Sequence, residues 1–537
     1  MNKLPFIERA SYSSHYKRNG ESNKRGSFFF LSVILTVLFG VVIFRLFQLT
    51  VVKGDYYRRL SDENRVREVV IEPRRGTILD RNGIVIAQST DPDFKDTSDF
   101  IKTKRTYSAA DAIGHIIGYR GVADTTDIAQ DDCLNPLGLG DKTGKKGVEK
   151  AYDCELRGTR GKKMIELDAH GKEVKVLGLV PPKAGKNIHL ALDMNLQRRA
   201  YDLLIASASA HAAVIATRPT TGEVLAMASA PSFDPQAFEN NDQKKMENYL
   251  TSPAHPLFNR ATEGTYPPGS IFKLIVAAGA LEDKKIDEKT TILDTGFVKV
   301  GPAIYNNWYY TDYGKTEGEV NVVKALQRSN DTFFYKVGEK LGENRIKYWS
   351  EKLGLGQRVP FPLDQVEGLV PSPFWKQERL GEDWFTGDTF NFAIGQGYVL
   401  TTPLQMHQAA SAFADKGTIC EPQLLKNAYP LCRSMKFSKQ TIDLVRRGMQ
   451  AACATGGTAY PFFDFQVNGK KITTGCKTGT AESQNPKETN PHAWFTIFAP
   501  YDNPEIHITV LVENAGQGSE IASPIAAELL KTYFSQK

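Results

Sequence analysis

The chain has 537 residues, 41% of them hydrophobic and 24% charged, a globular composition with length for several domains and no sign of wholesale disorder. Its net charge of +6 is mild and its lysines and arginines are mixed with acids, which argues against a nucleic-acid partner. The six cysteines form no C-x-x-C pair and no Cys/His metal spacing. An even count suits an oxidising compartment, with Cys133/Cys154 and Cys420/Cys432 as the local candidates among many possible pairings.

Residues 1–27 are polar and basic, with Lys3, Arg9, Lys17, Arg18, Lys24 and Arg25, and predict a tail without packed structure. Residues 28–44 carry no charge. If Arg45 snorkels to the interface, the apolar run continues to Val52, enough for the roughly 20 residues of a spanning helix. No small-x-small site precedes Lys53 and Tyr56, so residues 28–52 read as an uncleaved anchor rather than a signal peptide. Lys53, Arg58 and Arg59 offset the basic tail and leave its orientation open.

Residues 53–192 read as a β-rich module. Residues 55–67 have helical composition, and REVVIEPRRGTILDRNGIVIA reads as strand, turn, strand. Residues 88–105 read as loop, GLGDKTGKKG (138–147) as a flexible basic loop, and VPPKAGK as punctuation before the strand NIHLALD. The large domain is placed at residues 193–537. It starts with a helix, NLQRRAYDLLIASA, and a hairpin, HAAVIATRPTTGEVLAMAS. It ends with three strand-like runs, KKITTGCKTGTAE, AWFTIFAP and IHITVLVEN, and a helix, SPIAAELLKTYF. Strands from both ends around some two hundred mostly helical residues predict an α+β fold, one antiparallel sheet covered by helices.

The chemistry concentrates in TYPPGSIFKLIVAAGAL, residues 265–281. Two prolines and Gly269 bar a helix before Ser270, and the apolar run after them predicts a buried helix starting there. Lys273 projects from the same face as Ser270 and can bring its amine to the hydroxyl, a nucleophile beside a base. A capping serine and a surface lysine satisfy the same spacing, as Ser14 and Lys17 show. Two further motifs follow in order: Ser329, Asn330 and Asp331 within QRSNDTFFY, and Lys477, Thr478, Gly479 and Thr480. Lys142-Thr143-Gly144 and Ser483-Gln484-Asn485 match parts of these patterns but stand in the wrong order and context.

S-x-x-K, an S-x-N relative and K-T-G in this order are the signature set of penicillin-binding proteins and class A β-lactamases. Together with RLFQLTVVKGDYY, RGTILDRNGIVIA and KKGVEKAYDCELRGTRG, they make nearly the whole chain resemble a class B penicillin-binding protein. YPPGSIFK, SNDTFFY and NFAIGQGYVLTTPLQM are closest to the elongation-specific penicillin-binding protein 2 type.

The resemblance implies a transmembrane helix, a pedestal over residues 53–192 and a penicillin-binding/β-lactamase-like transpeptidase domain, with the catalytic domain in the periplasm and the N-terminus inside. It implies cross-linking of D-Ala-D-Ala stem peptides, acylation by β-lactams, and assembly with a SEDS-family glycosyltransferase and elongation-complex proteins. In this reading Ser270 attacks, and Lys273, with its pKa depressed by burial and by Lys477, acts as base. Ser329 relays a proton, and Asp331 holds the substrate amide. Lys477, Thr478 and Thr480 bind the terminal carboxylate, Gly479 admits the substrate backbone, and the amides of Ser270 and Thr480 form the oxyanion hole.

Some elongation-type members hold zinc through a cysteine in the middle of the second motif; Asn330 stands there, so no metal or cofactor is expected. The segment between Ala87 and His115 is far shorter than the family's membrane-distal head. The rival readings are a β-lactamase or membrane-bound β-lactam sensor, which must hydrolyse or signal, and a non-catalytic wall-synthesis scaffold, which has no need of a lysine on a buried helix.

Overall fold

The computed structural model describes residues 21–95, 100–168, 170–483 and 490–536. The expectations for the first twenty residues, for the Ser14/Lys17 pair and for Gln484 and Asn485 lie outside them. The described residues fall into two compact units, one built from residues 21–70 and 162–180 and the other from the remainder.

The first unit opens with helix α1, Glu21–Phe47, which runs through a wider turn, Gln48–Val52. Residues 26–52 are long and apolar enough to cross a membrane, and none of the span is buried against protein. A helix over Gly54–Arg65 follows. An antiparallel hairpin pairs Lys162 with Val180 and Leu167 with Glu173. Asp168 closes its turn by accepting the amides of His170 and Lys172, and Arg65 forms an ion pair with Glu166.

In the second unit, Ile78–Leu79 pairs with Val85–Ser89 and with Ile188–His189, and Val85–Ser89 pairs in turn with Arg105–Tyr107. Residues 88–89 and Arg105 are therefore in strands rather than the loop their polarity suggested, because Gln88 pairs with Thr106 and Ser89 with Arg105. The Gly/Lys stretch at 138–147 is not a flexible loop either. Lys142–Gly144 is a strand paired with Arg120–Val122, and the Thr143 hydroxyl and Gly144 amide donate to Asp153. One apolar cluster joins Ile78, Ile86, Ile117 and Leu156 to Leu192, Ile215 and Met227.

Helix α2, Met194–Ile205, is capped by Asp193, which accepts the amides of Asn195 and Leu196. The strands β1 (Ala212–Thr217) and β2 (Val224–Ala230) form the expected hairpin. Helix α3 spans Lys273–Glu282, strand β3 Ile292–Asp294, and helices α4 and α5 Val322–Arg328 and Asp331–Leu341. Helix α6 spans Lys439–Ala452, strands β4, β5 and β6 Gly475–Ala481, His492–Ala499 and Ile506–Val512, and helix α7 Ala522–Ser535.

The central sheet has the order β2-β1-β6-β5-β4, antiparallel throughout, so strands from both ends of the domain meet at β1 and β6 as expected. One face carries α2 and α7 on Phe495, Ile497, Ile508 and Val510; the other carries α3 on Trp494, Phe498 and Leu511. Every residue from Lys273 to Ala280 is buried, which is why that stretch is apolar nearly all round. Each large side chain interred there, such as Phe272 or Phe333, contributes roughly 1.5–3 kcal/mol. Strand β4 is the sheet edge next to this helical layer.

Candidate active site

Ser270 lies in a 3₁₀ turn, Gly269–Phe272, that runs straight into α3. The approach to it is fixed at several points. Tyr266 pairs its backbone with Thr401 and donates its hydroxyl to Glu513 at 2.6 Å, while the Trp494 indole donates to the Pro267 carbonyl at 2.9 Å. Gly269 has φ +55°, and a Cβ there would stand 2.6 Å from the Thr480 carbonyl oxygen, so only glycine lets the serine turn lie against the third motif.

The second motif is the break between α4 and α5. Ser329 ends α4 in the left-handed region, with φ 55°, a conformation that non-glycine residues hold only where surroundings dictate it. Asn330 caps α5 by accepting the Phe333 amide at 2.8 Å. Both positions follow from short polar side chains that favour caps over helix interiors.

Four of the expected residues converge. Lys273, with no exposed surface, donates to the Ser329 carbonyl at 2.8 Å, to its hydroxyl at 3.4 Å and to Asp331 Oδ1 at 2.6 Å. Lys477, equally buried, donates to the Ser329 hydroxyl at 2.8 Å and to the Thr478 carbonyl at 2.9 Å. Ser270 is half-buried, and no hydrogen bond reaches its hydroxyl among the described residues. The expected contact with Lys273 is therefore unmade, the amine being held by Asp331 and Ser329; catalytic hydrogen bonds commonly tighten only when substrate binds.

Asp331, Gly479 and Lys477 have further surroundings that the sequence did not announce. The Asp331 carboxylate is already engaged by protein groups: Oδ1 takes Lys273 and Oδ2 accepts the Trp308 backbone amide at 3.0 Å. Gly479 packs against the serine turn: a Cβ there would lie 2.9 Å from the Trp494 Cβ, 3.2 Å from Ile271 and 3.3 Å from the Pro268 carbonyl. It lets the serine turn close on β4. Burial lowers the Lys273 pKa against the pull of Asp331, whereas burial and then the charge of Lys273 push Lys477 well below its ordinary value.

Strand alternation sets Lys477, Gly479 and Ala481 toward α3, and Thr478 and Thr480 to the other side. The Thr478 hydroxyl is bonded to that of Thr458 at 2.8 Å, and Thr480 accepts the Gly518 amide at 3.4 Å.

The zinc that some relatives hold at the second motif does not fit these residues. Asn330 and Asn307 both turn amide N–H groups to Asp294, which also accepts the backbone amides of Gly296 and Glu317. Four donors occupy the carboxylate where a cation would have to sit. Asp294, Asn307 and Thr458 were missed in the sequence, where each stands outside any motif. The three disulfides are Cys133–Cys154 and Cys420–Cys432, both local candidates, and Cys453–Cys476, which ties the end of α6 to the residue before Lys477.

A family model described as the penicillin binding protein transpeptidase domain matches residues 212–531, and one described as the penicillin-binding protein dimerisation domain matches residues 100–190. The chain is 30% identical to the peptidoglycan D,D-transpeptidase MrdA of Haemophilus influenzae over 641 aligned positions, covering 100% of this chain and 96% of that protein. It superposes on PBP2 of Helicobacter pylori, solved in complex with MreC, with a TM-score of 0.73 and 28% identity, over 87% of this chain and 99% of that one. A chain of a solved peptidoglycan synthase complex that coordinates polymerization and crosslinking gives a TM-score of 0.75 and 26% identity, over 95% and 99% of the two chains.

Proposed function

The chain belongs to the class B penicillin-binding proteins, and from that membership we propose that it is the serine D,D-transpeptidase that cross-links peptidoglycan stem peptides during cell elongation. The observation that carries the reading is the convergence of two fully buried lysines on the Ser329 hydroxyl, beside a serine at the mouth of α3.

Lys273 in its free-base form takes the proton of Ser270 as the hydroxyl attacks the D-Ala-D-Ala carbonyl. The tetrahedral oxyanion forms against the backbone amides of Ser270 and Thr480, and positioned donors of this kind contribute about 3 kcal/mol each in serine hydrolases. Ser329, bonded to both lysines, passes a proton to the departing D-Ala amine. An amine of a neighbouring stem peptide then attacks the acyl-enzyme, returning its proton along the same route. Lys477, buried beside a like charge, gains most from an incoming carboxylate, so the terminal carboxylate of the donor peptide belongs there, with Thr478 and Thr480 at the strand edge. β-Lactams acylate the same Ser270.

The anchor at 28–52 is read as a single pass of the inner membrane with the tail inside and residues 53–537 in the periplasm. The three disulfides support that side of the membrane, since such bonds persist in oxidising compartments. The division into a pedestal at 53–192 and a transpeptidase domain at 193–537 belongs to the same reading. So does the missing head, supported by the pairing of Ala87 with Tyr107 and by an alignment of 641 positions for 537 residues. A SEDS-family glycosyltransferase and MreC-like proteins are the proposed partners; unchanged co-purification after residues 28–52 are exchanged for an unrelated spanning helix would count against the anchor's part in that assembly.

The test of the function is in vitro cross-linking by the purified full chain with a glycosyltransferase and lipid-linked precursor, the muropeptides being read by mass. Dimeric, D-Ala-released products are expected. Monomers alone, or a penicilloyl-enzyme that turns over in seconds, would contradict a transpeptidase.

A further inference from the structure

Asp294 is 2% exposed and forms no ion pair among the described residues, yet its two oxygens accept four hydrogen bonds. Oδ1 takes the Gly296 amide at 2.9 Å, and Oδ2 takes the Glu317 amide and the side-chain amides of Asn307 and Asn330, each at 2.9 Å. Both asparagines, fully buried, use their remaining oxygen on the second motif: Asn307 accepts the Asp331 amide at 3.0 Å and Asn330 accepts the Phe333 amide at 2.8 Å. Asp331 then holds Lys273 and the Trp308 amide. A carboxylate surrounded by donors on rigid neighbours keeps its geometry, and Ser329 between these residues adopts a left-handed backbone that needs such support.

We propose that Asp294 is a positioning residue for acylation: through Asn307 and Asn330 it clasps the turn that carries Ser329 and sets the Asp331 carboxylate against Lys273. The clasp does by hydrogen bonds what a metal would otherwise do at this turn. It touches no substrate, and it rests on the transpeptidase reading above, because its effect is read through acylation of Ser270. The charged groups facing Lys273 in this arrangement are Asp331 and Lys477.

The experiment measures second-order acylation by a fluorescent penicillin across pH, using the full-length chain in detergent with Asp294→Ala and Asp294→Asn, and a melt of each. Asp294→Ala is expected to lower the rate at neutral pH roughly 10–100-fold while the protein still melts cooperatively. The acid limb of its pH profile moves to lower pH, because Asp331 no longer holds a proton on Lys273. Asp294→Asn can turn its oxygen to the three Oδ2 donors and give up only the Gly296 amide, so it recovers most of the rate.

An Asp294→Ala protein that acylates like wild type overturns the proposal, as does a loss that follows the folded fraction with the pH profile unmoved. If that variant does not fold, Asn307→Ala cuts the same clasp one bond further along and carries the same expectation; a wild-type profile in it overturns the proposal. Ser270→Ala separates the two levels. Covalent label persisting there defeats the assignment of Ser270 as the nucleophile, on which the transpeptidase reading rests, whatever Asp294 does.

Discussion

Arg75, Arg105 and Arg120 are buried as deeply as Lys273 and Lys477, yet the three arginines end on four carboxylates, Glu72, Glu149, Asp153 and Glu239, while of the two lysines Lys273 alone pairs with a carboxylate, Asp331, and Lys477 ends on the Ser329 hydroxyl and the Thr478 carbonyl. In the arginine cluster burial alone would raise the acids, but the guanidinium groups outweigh it and hold Glu149, Asp153 and Glu239 below their ordinary pKa. That cluster is closed: with Lys142 on Glu239 and Arg157 on Asp153 added, each of the four carboxylates has a cation against it. The lysine cluster is one negative charge short, and burial depresses both amines. The difference separates a buried charge set that fixes geometry from one poised to release a proton and to receive an anion.

The comparison breaks most visibly at Lys273. Lys273→Ala is expected to lower acylation by labelled penicillin about 10²–10⁴-fold, measured as a second-order rate. Glu149→Ala does the opposite kind of damage. It leaves Arg75 and Arg105 without their main partner and is expected to cost about 3–5 kcal/mol in a denaturant melt, with the pH profile of acylation in the folded fraction unchanged. Replacing Cys453 and Cys476 together removes a link across 23 residues next to Lys477 and is expected to cost about 3 kcal/mol, read as a lowered melting midpoint.

The smallest effect per step is with pH. Burial holds His115 and His507 at about 3, and His407 well below its ordinary value, so the folded state keeps three neutral imidazoles that the unfolded chain protonates below about 6.5. Stability from each is present above that pH and is lost on acidification down to the folded values, by about 1.4 kcal/mol per pH unit per imidazole. The lysines carry the same sign in an alkaline window: stability rises as pH climbs from their lowered folded values toward about 10.5. The arginine cluster contributes no such rise. Melts from acid to alkaline pH measure both limbs.

The central sheet and the order of the three motifs were legible in the sequence because each rests on a local signal: short apolar runs bounded by a turn in β5 and β6, an apolar helix behind Ser270, and a polar break at Ser329. The protein partners of Asp331 and Gly479 were not legible because they come from elsewhere in the chain, Lys273 and Trp308 for one and the Pro268–Ile271 turn for the other. Asp294 was invisible for a related reason. A lone aspartate in an ordinary strand acquires meaning only when Asn307 and Asn330 close on it. Residues 142–144 show the converse, a motif look-alike whose lysine and threonine end on Glu239 and Asp153 as structural partners.

The most direct test of the central claim is the mass of the protein after reaction with penicillin, followed by peptide mapping of the adduct. One penicilloyl group on the peptide containing Ser270, with none on Ser270→Ala, is the predicted result. An adduct on another peptide, or one that survives in Ser270→Ala, would contradict the assignment of Ser270 as the nucleophile.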